Sequence, residues 1–351
     1  MRTELITLDG RADTAKIARA AQILRAGGLI AFPTETVYGI AADARNPEAL
    51  AQLARVKGKF DGQSHALLVG SVRQAEELAG GLPRAARKLA RLYGPGPLTR
   101  VVHRASGGKV GLRLSEHPVA RSLLSECGFP LAVPSAAILR KFNGLSAADV
   151  RATYDGQIAL VLEGLPAPKG LPSTVVEVSD HAVSVVREGS ISEFDVLQGA
   201  APTVLFICTG NTCRSPMAAA LCHALLKRSR QSDANPAYVI SAGTNAKPGA
   251  PAHLFAYTAM QEAGLNLSGH RATLATPDLI DSADWVYTMT TAHRESILEF
   301  MPSASDRVQH VSPLHEDIAD PGGRLLARYR RAREKLAACM PRIVETILEE
   351  S

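Results

Sequence analysis

The sequence predicts an α/β protein built in two parts: a first part with a twisted, mixed sheet and a second with a doubly wound parallel sheet. Three observations carry this. From residue 203 onward, strand-length apolar runs alternate with helix-length amphipathic stretches, the pattern of parallel βαβ units. Before that point strands and helices mix less regularly and close on a strand–turn–strand pattern at 173–188, as a mixed sheet would. The 351 residues, 46% apolar and 21% charged, suit two globular domains.

In chain order, TAKIARAAQILRAGG (14–28) reads as a helix ending on glycines, and LIAF (29–32) as a strand. PEALAQLARVKG, VRQAEELAG and PRAARKLARLYG read as helices, and LTRVVH and VGLRL as strands. HPVARSLLSECG then reads as a helix and QIALVLEG as a strand. STVVEV and VSVVRE form the closing hairpin. The seam at SEFDVLQGAAP puts a first domain at 1–195, a linker at 196–202 and a second domain at 203–351. In that domain TVLFI, YVISAG, DWVYTM and DRVQHVS are strands, separated by helices at SPMAAALCHALLKRSR, HLFAYTAMQEAG and TAHRESILEFM. A long closing helix follows, in which Pro341 predicts a kink or a break.

Composition narrows the function classes. No apolar run approaches the ~18 residues of a membrane span, and MRTELITLDGRAD lacks the apolar core of a signal peptide. Five cysteines, an odd number, spread over a long chain argue for a reducing compartment. The expectation is a cytoplasmic protein with no membrane partner. The formal charge of +5 lies entirely in residues 1–200, which hold 24 Lys/Arg against 19 Asp/Glu. Such an excess fits a solvated basic surface or a nucleotide or RNA partner.

The strongest chemical signal is Cys208-Thr209-Gly210-Asn211-Thr212-Cys213-Arg214-Ser215-Pro216, placed between a buried-strand pattern and a helix start. A loop there aims backbone N–H groups at one centre and builds an anion site. Cys208 would sit beneath the anion, its thiolate favoured by the helix N-terminus and Arg214. Arg214 can return over the loop and grip two phosphate oxygens. Gly210 would supply the positive φ of a tight loop, and Asn211 and Ser215 can hydrogen-bond the loop or the sulfur. Cys208 and Cys213, five apart with no C-x-x-C pair, argue against zinc.

Residues 203–350 resemble the low-molecular-weight protein tyrosine phosphatases. Beside the loop, SAGT at 241–244, HRATL at 270–274 and Asp320-Pro321 match the family's usual positions. The resemblance implies Cys208 as nucleophile, Arg214 as phosphoryl binder and Asp320 as general acid, with no cofactor. Asp317 is a competing acid. Thr212 stands where tyrosine-specific members carry a larger aliphatic residue, and Gly322-Gly323-Arg324 stand where they tend to carry aromatics. Both features look like the protein-arginine-phosphatase branch, so phosphorylated proteins, phosphoarginine ahead of phosphotyrosine, are the expected partners. Cys213 is either a disulfide partner that shields Cys208 or a small buried filler.

FPTETVYGIAADA (32–44) is the second signal. With Lys57-Gly58-Lys59, GPGPLT at 94–99, Leu112-Arg113-Leu114, Pro134-Ser135-Ala136, PSTVV at 172–176 and Arg187-Glu188-Gly189, it resembles the YrdC-type threonylcarbamoyl-adenylate synthases over residues 13–192. That family condenses threonine, bicarbonate and ATP, the ATP carrying Mg²⁺. A downstream tRNA-modifying transferase is implied as a partner. The resemblance implies cations from Lys57, Lys59 and Arg187, and hydroxyls from Thr34, Thr36, Ser135, Ser173 and Thr174. Arg113 would hold the threonine carboxylate. Plainer readings stand beside these: a turn cap for Thr34, an exposed strand face for Arg113 and a helix C-terminal charge for Lys57. The family has K-x-R where this chain has Lys57-Gly58-Lys59, and P-S-A-N where it has Pro134-Ser135-Ala136-Ala137. A non-catalytic nucleotide- or RNA-binding module is therefore the rival reading of the first part.

Overall fold

The computed structural model describes residues 2–8, 13–57, 66–135, 146–164, 171–180, 182–229, 237–323 and 325–350. Gly58, Lys59, Ala136, Ala137 and Arg324, named above, lie outside them. The chain divides into two compact units, Met1–Ala200 and Ala201–Ser351.

The first unit runs β1 (Glu4–Thr7), α1 (Thr14–Arg25), β2 (Ile30–Phe32), β3 (Gly39–Asp43), α2 (Pro47–Lys57), β4 (Ala66–Leu68), α3 (Val72–Ala79), α4 (Arg84–Tyr93), β5 (Leu98–His103) and β6 (Lys109–Arg113). It continues with α5 (Pro118–Cys127), β7 (Leu131–Ala132), α6 (Ala147–Tyr154), β8 (Leu160–Glu163), β9 (Thr174–Val178), β10 (Val183–Arg187) and α7 (Glu193–Ala200). The strands form one mixed sheet in the order β1-β8-β2-β3-β7-β4-β6-β5-β9-β10. β1, β8 and β2 are mutually parallel, β2-β3, β3-β7 and β7-β4 antiparallel, and β4 pairs parallel with β6. β9 and β10 form the expected hairpin.

The helices follow local rules. Asp13 caps α1, its carboxylate accepting from the Ala15 and Lys16 N–H groups, and Ser71 caps α3. Gly80 and Gly128 end α3 and α5 in the left-handed conformation. Ala20, Ala21 and Leu24 of α1 and Leu123 and Leu124 of α5 bury against Ile30, Phe32, Leu131 and Leu160 on one sheet face. Leu53 of α2 and Val150 of α6 cover Ala31, Ile40, Ala42 and Val161 on the other.

The stretch expected as a linker at 196–202 begins inside α7. Val196 and Ala200 are buried with α3, α4 and β5 residues, so this segment belongs to the first unit's core through Ala200. The sequence signal was a loose seam; burial of one short apolar helical face decides it.

The second unit comprises β11 (Thr203–Cys208), α8 (Arg214–Ser229), β12 (Tyr238–Gly243), α9 (Leu254–Gln261), α10 (Pro277–Asp281), β13 (Trp285–Thr288), α11 (Thr291–Phe300), a 3₁₀ turn at Pro302–Ala304, β14 (Val308–His310) and α12 (Leu326–Glu350). Its sheet is parallel throughout, in the order β12-β11-β13-β14. Every residue of β11 is buried. Val204, Phe206 and Cys208 face the layer of α8, α9 and α12, while Leu205 and Ile207 face Ile280 and Ile297 of α10 and α11. Alternation on a strand buried on both faces is what winds helices over both sides. Pro341 does not break α12. Leu336, Met340, Ile343, Val344 and Ile347 on either side of it are buried in one core, and that apolar face holds the helix together. No helix among the described residues is long and apolar enough to cross a membrane.

Candidate functional sites

In the second unit β11 ends at Cys208 and α8 begins at Arg214, so the intervening residues form a strand–loop–helix turn at the carboxyl edge of the sheet. The Cys208 Sγ lies 2.9 Å from Ser215 Oγ. Asn211 Nδ2 donates to Ser215 Oγ and to Ser241 Oγ, each at 2.9 Å, and Asn211 Oδ1 accepts from the Thr273 N–H at 2.8 Å. His270 Nε2 meets the Asn211 carbonyl at 2.6 Å. The loop is thus braced from below by SAGT and HRATL, the two segments singled out in sequence. Gly243 permits this: a Cβ there would lie 2.3 Å from the Thr209 carbonyl oxygen and 2.8 Å from the Asn211 nitrogen.

The left-handed residue is Asn211, at φ +52°, and Gly210 is not one. An asparagine tolerates this region because its side chain bonds the local backbone. Asn211 has every polar atom of its amide engaged, which holds it there.

The Arg214 guanidinium, buried with the loop, donates from Nη1 to the Ile318 carbonyl at 3.1 Å and from Nη2 to Asp320 Oδ2 at 2.8 Å. The Asp320 carboxylate remains 60% exposed, open to anything bound in the loop. Asp317, the rival acid, is occupied elsewhere: it accepts from the Thr291 N–H at the start of α11 and pairs with His310 Nε2 at 3.1 Å. Those bonds hold its carboxyl below the usual range, the wrong direction for a group that must carry a proton to the leaving group.

Cys213 is half-buried, with its thiol pushed up by burial, and all five cysteines are free. Its Sγ lies 3.9 Å from Tyr329 Oη, whose ring stacks on His253 at 5.1 Å. Tyr329 is 1% exposed, so its ring is packed into the unit rather than offered to a substrate. Sequence reasoning missed His293, which reaches Thr209 Oγ1 through Nε2 at 2.9 Å.

The first unit holds a cavity of about 490 Å³ over the sheet, lined among others by Thr34, Thr36, Thr99, Arg113, Ser135, Ser173 and Arg187. Residues from six separated stretches converge here. Thr99 and Ser173 hydroxyls lie 3.1 Å apart, and Arg187 Nη2 donates to the Ser173 carbonyl at 2.8 Å. Thr34 closes a turn, giving its hydroxyl to the Val37 carbonyl at 2.6 Å.

Three of the expected site residues have partners within the unit. Arg113 is not free on a strand face: its Nη2 binds Glu35 Oε1 at 2.6 Å and Thr36 Oγ1 at 2.9 Å. Glu35, missed in sequence, also accepts from Ser115 Oγ. Burial pushes the Glu35 carboxyl up, but Arg113 and Ser115 outweigh it, so it stays below its ordinary value. The Thr174 hydroxyl is engaged within the unit. Its Oγ1 donates to the Ile191 carbonyl and accepts from the Gly189 and Ile191 N–H groups, tying down the loop after β10. Lys57 is not among the cavity's lining residues. It ends α2 beside Tyr154, 3.1 Å from the phenol oxygen, where burial pushes its ammonium down to about 8.

Among the described residues, Glu35 is matched by Arg113 and Glu177, which lines the cavity, by Lys109 at 2.5 Å. A divalent cation would therefore arrive with a bound polyphosphate and be held chiefly by its oxygens.

Comparison with known proteins now fits this geometry. Residues 22–189 match the Sua5/YciO/YrdC family model, described as telomere recombination, and residues 203–351 match that of the low molecular weight phosphotyrosine protein phosphatases. Over 185 residues the chain is 36% identical to a putative threonylcarbamoyl-AMP synthase of Mycobacterium tuberculosis, covering 50% of this chain and 85% of that protein. Over 151 residues it is 38% identical to a protein-arginine-phosphatase of Geobacillus stearothermophilus, covering 42% of this chain and 97% of that one. The chain belongs to both families, one in each unit. It spans about half the length of other synthase relatives it matches, 54% for that of Bacillus subtilis and 58% for that of Pyrococcus abyssi. The structure of P. abyssi Sua5 complexed with L-threonine aligns with a TM-score of 0.53 at 21% identity, over 96% of this chain and 98% of that one, a likeness of fold alone.

Proposed function

We propose that the second unit is a cysteine-dependent phosphatase of protein phosphoarginine. The observation that carries this reading is the loop itself: Cys208 hydrogen-bonded to Ser215 beneath it, with Arg214 and the exposed Asp320 carboxylate paired above it. In the first step the Cys208 thiolate attacks phosphorus. The S–P bond forms, the P–N bond to the arginine breaks, and protonated Asp320 gives its proton to the departing guanidine nitrogen. Water then attacks the phosphocysteine, Asp320 takes its proton, and phosphate leaves as Cys208 is restored. Ser215, which accepts from Asn211 and has the Ala242 carbonyl and the Cys208 sulfur as acceptors for its one hydroxyl hydrogen, turns that hydrogen to the thiolate and stabilises it both as nucleophile and as leaving group. The buried Tyr329 supports a planar, polar substrate over an aromatic ring.

The first unit, on this proposal, condenses ATP, threonine and bicarbonate to threonylcarbamoyl-AMP and pyrophosphate for tRNA modification. Arg187, with the Thr99 and Ser173 hydroxyls beside it in the cavity, would meet the phosphate oxygens of ATP. One observation favours the rival, in which this unit only binds nucleotide or RNA beside a phosphotyrosine phosphatase: Arg113 is closed on Glu35 rather than open to a carboxylate. Pyrophosphate release from ATP that requires both threonine and bicarbonate supports synthesis; ATP binding without it leaves the binding module. Release of phosphate from phosphoarginine peptides faster than from phosphotyrosine peptides supports the arginine reading, and the reverse order rejects it.

A further inference from the structure

Thr209 follows the nucleophile, and its hydroxyl oxygen has two nitrogen neighbours: His293 Nε2 at 2.9 Å and Arg214 Nη2 at 3.5 Å. On the far side of the imidazole, Nδ1 lies 2.7 Å from Thr290 Oγ1, which caps α11 by accepting the His293 backbone N–H at 3.2 Å. Counting hydrogens selects one arrangement. Thr290 gives its hydroxyl hydrogen to Nδ1, so the imidazole proton sits on Nε2 and is given to Thr209 Oγ1. Arg214 can only donate. Both lone pairs of the Thr209 oxygen are then used, and its own hydrogen is left to point at whatever occupies the loop. The opposite tautomer would consume the Thr209 hydrogen and give the Thr290 hydroxyl no acceptor among the described residues.

We infer that Thr209 donates its hydroxyl hydrogen to an oxygen of the bound phosphoryl group, and that His293 is the positioning residue that orients it. The inference rests on the phosphatase reading and adds a side-chain donor to a loop whose other donors are backbone amides and Arg214. A neutral ring is what this arrangement needs. His293 is 7% exposed. Burial and then the Arg214 charge push it below its ordinary value, against the smaller opposite pull of Asp317 and Asp320.

The test uses the full chain and five variants: Thr209→Val, Thr209→Ser, His293→Phe, His293→Gln and the double Thr209→Val/His293→Phe. Turnover of phosphoarginine and para-nitrophenyl phosphate is measured, with binding of inorganic phosphate by calorimetry. Thr209→Val should lose about tenfold in kcat/KM and weaken phosphate binding by a similar factor, the loss of one donor to a charged group. Thr209→Ser should stay within about threefold of the parent, and His293→Gln, which keeps an N–H near Nε2, should fall between parent and His293→Phe. The double variant should be no worse than Thr209→Val alone, because His293 acts through that hydroxyl. Phosphate binding by Thr209→Val within about twofold of the parent overturns the inference, as does a double variant whose losses multiply, the mark of His293 as packing only. Should His293→Phe not fold, the two Thr209 variants still decide. A parent protein that turns over neither substrate rejects the phosphatase reading; the phosphate affinities then judge the donor separately.

Discussion

The two units handle anions by opposite constructions. In the second unit the phosphate loop is one contiguous run, Cys208 to Ser215, between a strand and a helix, and distant segments only brace it. In the first unit the cavity has no such run. Thr36, Thr99, Arg113, Ser173 and Arg187 come from separate strands and loops, and a buried ion pair, Glu35–Arg113, stands at its edge. A contiguous loop draws its field from backbone amides that any sequence supplies, so a few side chains suffice. A distributed cavity depends on each side chain and on the fold that brings them together, so a single change among them bears on it more heavily.

The largest expected effect separates chemistry from binding in the contiguous site. Cys208→Ser should lower phosphatase turnover by about 10⁴-fold or more while retaining phosphate binding, since the amides and Arg214 remain. Turnover of para-nitrophenyl phosphate within about tenfold of the parent would falsify the nucleophile assignment. Asp320→Asn should cost about 10²–10⁴-fold in kcat, least for substrates whose leaving group needs no proton. Equal losses on para-nitrophenyl phosphate and phosphoarginine would place the general acid elsewhere.

In the distributed site the corresponding change should strike stability. Arg113→Met leaves the Glu35 carboxylate buried without its cation and should destabilise the first unit by about 3–5 kcal/mol in denaturant unfolding. Because the folded-state value of Glu35 is depressed, the stability it contributes is present above the ordinary carboxylate range and is lost as pH falls through the folded-state value. The parent should therefore lose stability on acidification more steeply than Glu35→Gln, and equal slopes would show the pair to be inert. The smallest effect concerns selection. Thr212→Ile should shift the preference from phosphoarginine toward phosphotyrosine peptides by about ten- to a hundredfold, since a branched apolar wall desolvates guanidinium N–H groups without pairing them. A change that scales both substrates equally removes Thr212 as selector.

Much of the second site was legible because its signals are local. The run at 208–216, Asp320-Pro321 and SAGT each state their place in sequence, and the structure brings all three together. Gly210 was misread because a loop glycine and a loop asparagine compete for the left-handed position, and only the bond from the Thr273 N–H and those that Asn211 gives to Ser215 and Ser241 decide for Asn211. His293 gave no signal: a histidine on an ordinary amphipathic helix announces nothing until α11 lies against the loop. In the first unit the motifs located the cavity's neighbourhood but not the role of each residue. Glu35 reads as one acid in FPTETVYG, and its partner stands 78 positions away. Thr174 and Lys57 have suitable chemistry, yet one is spent on the Ile191 carbonyl and the other turns to Tyr154.

The sequence by itself determined the two-part α/β order, the all-parallel character of the second sheet and the phosphate loop. These follow from hydrophobic period and turn chemistry, which act over a few residues. Tertiary structure alone decided that α7 packs into the first unit, that α12 continues through Pro341, and that Arg113 pairs with Glu35. Each of these depends on burial: a helix end, a missing N–H or a charge takes the partner that removal from water makes most costly to leave unmatched, and that partner is set by the whole fold.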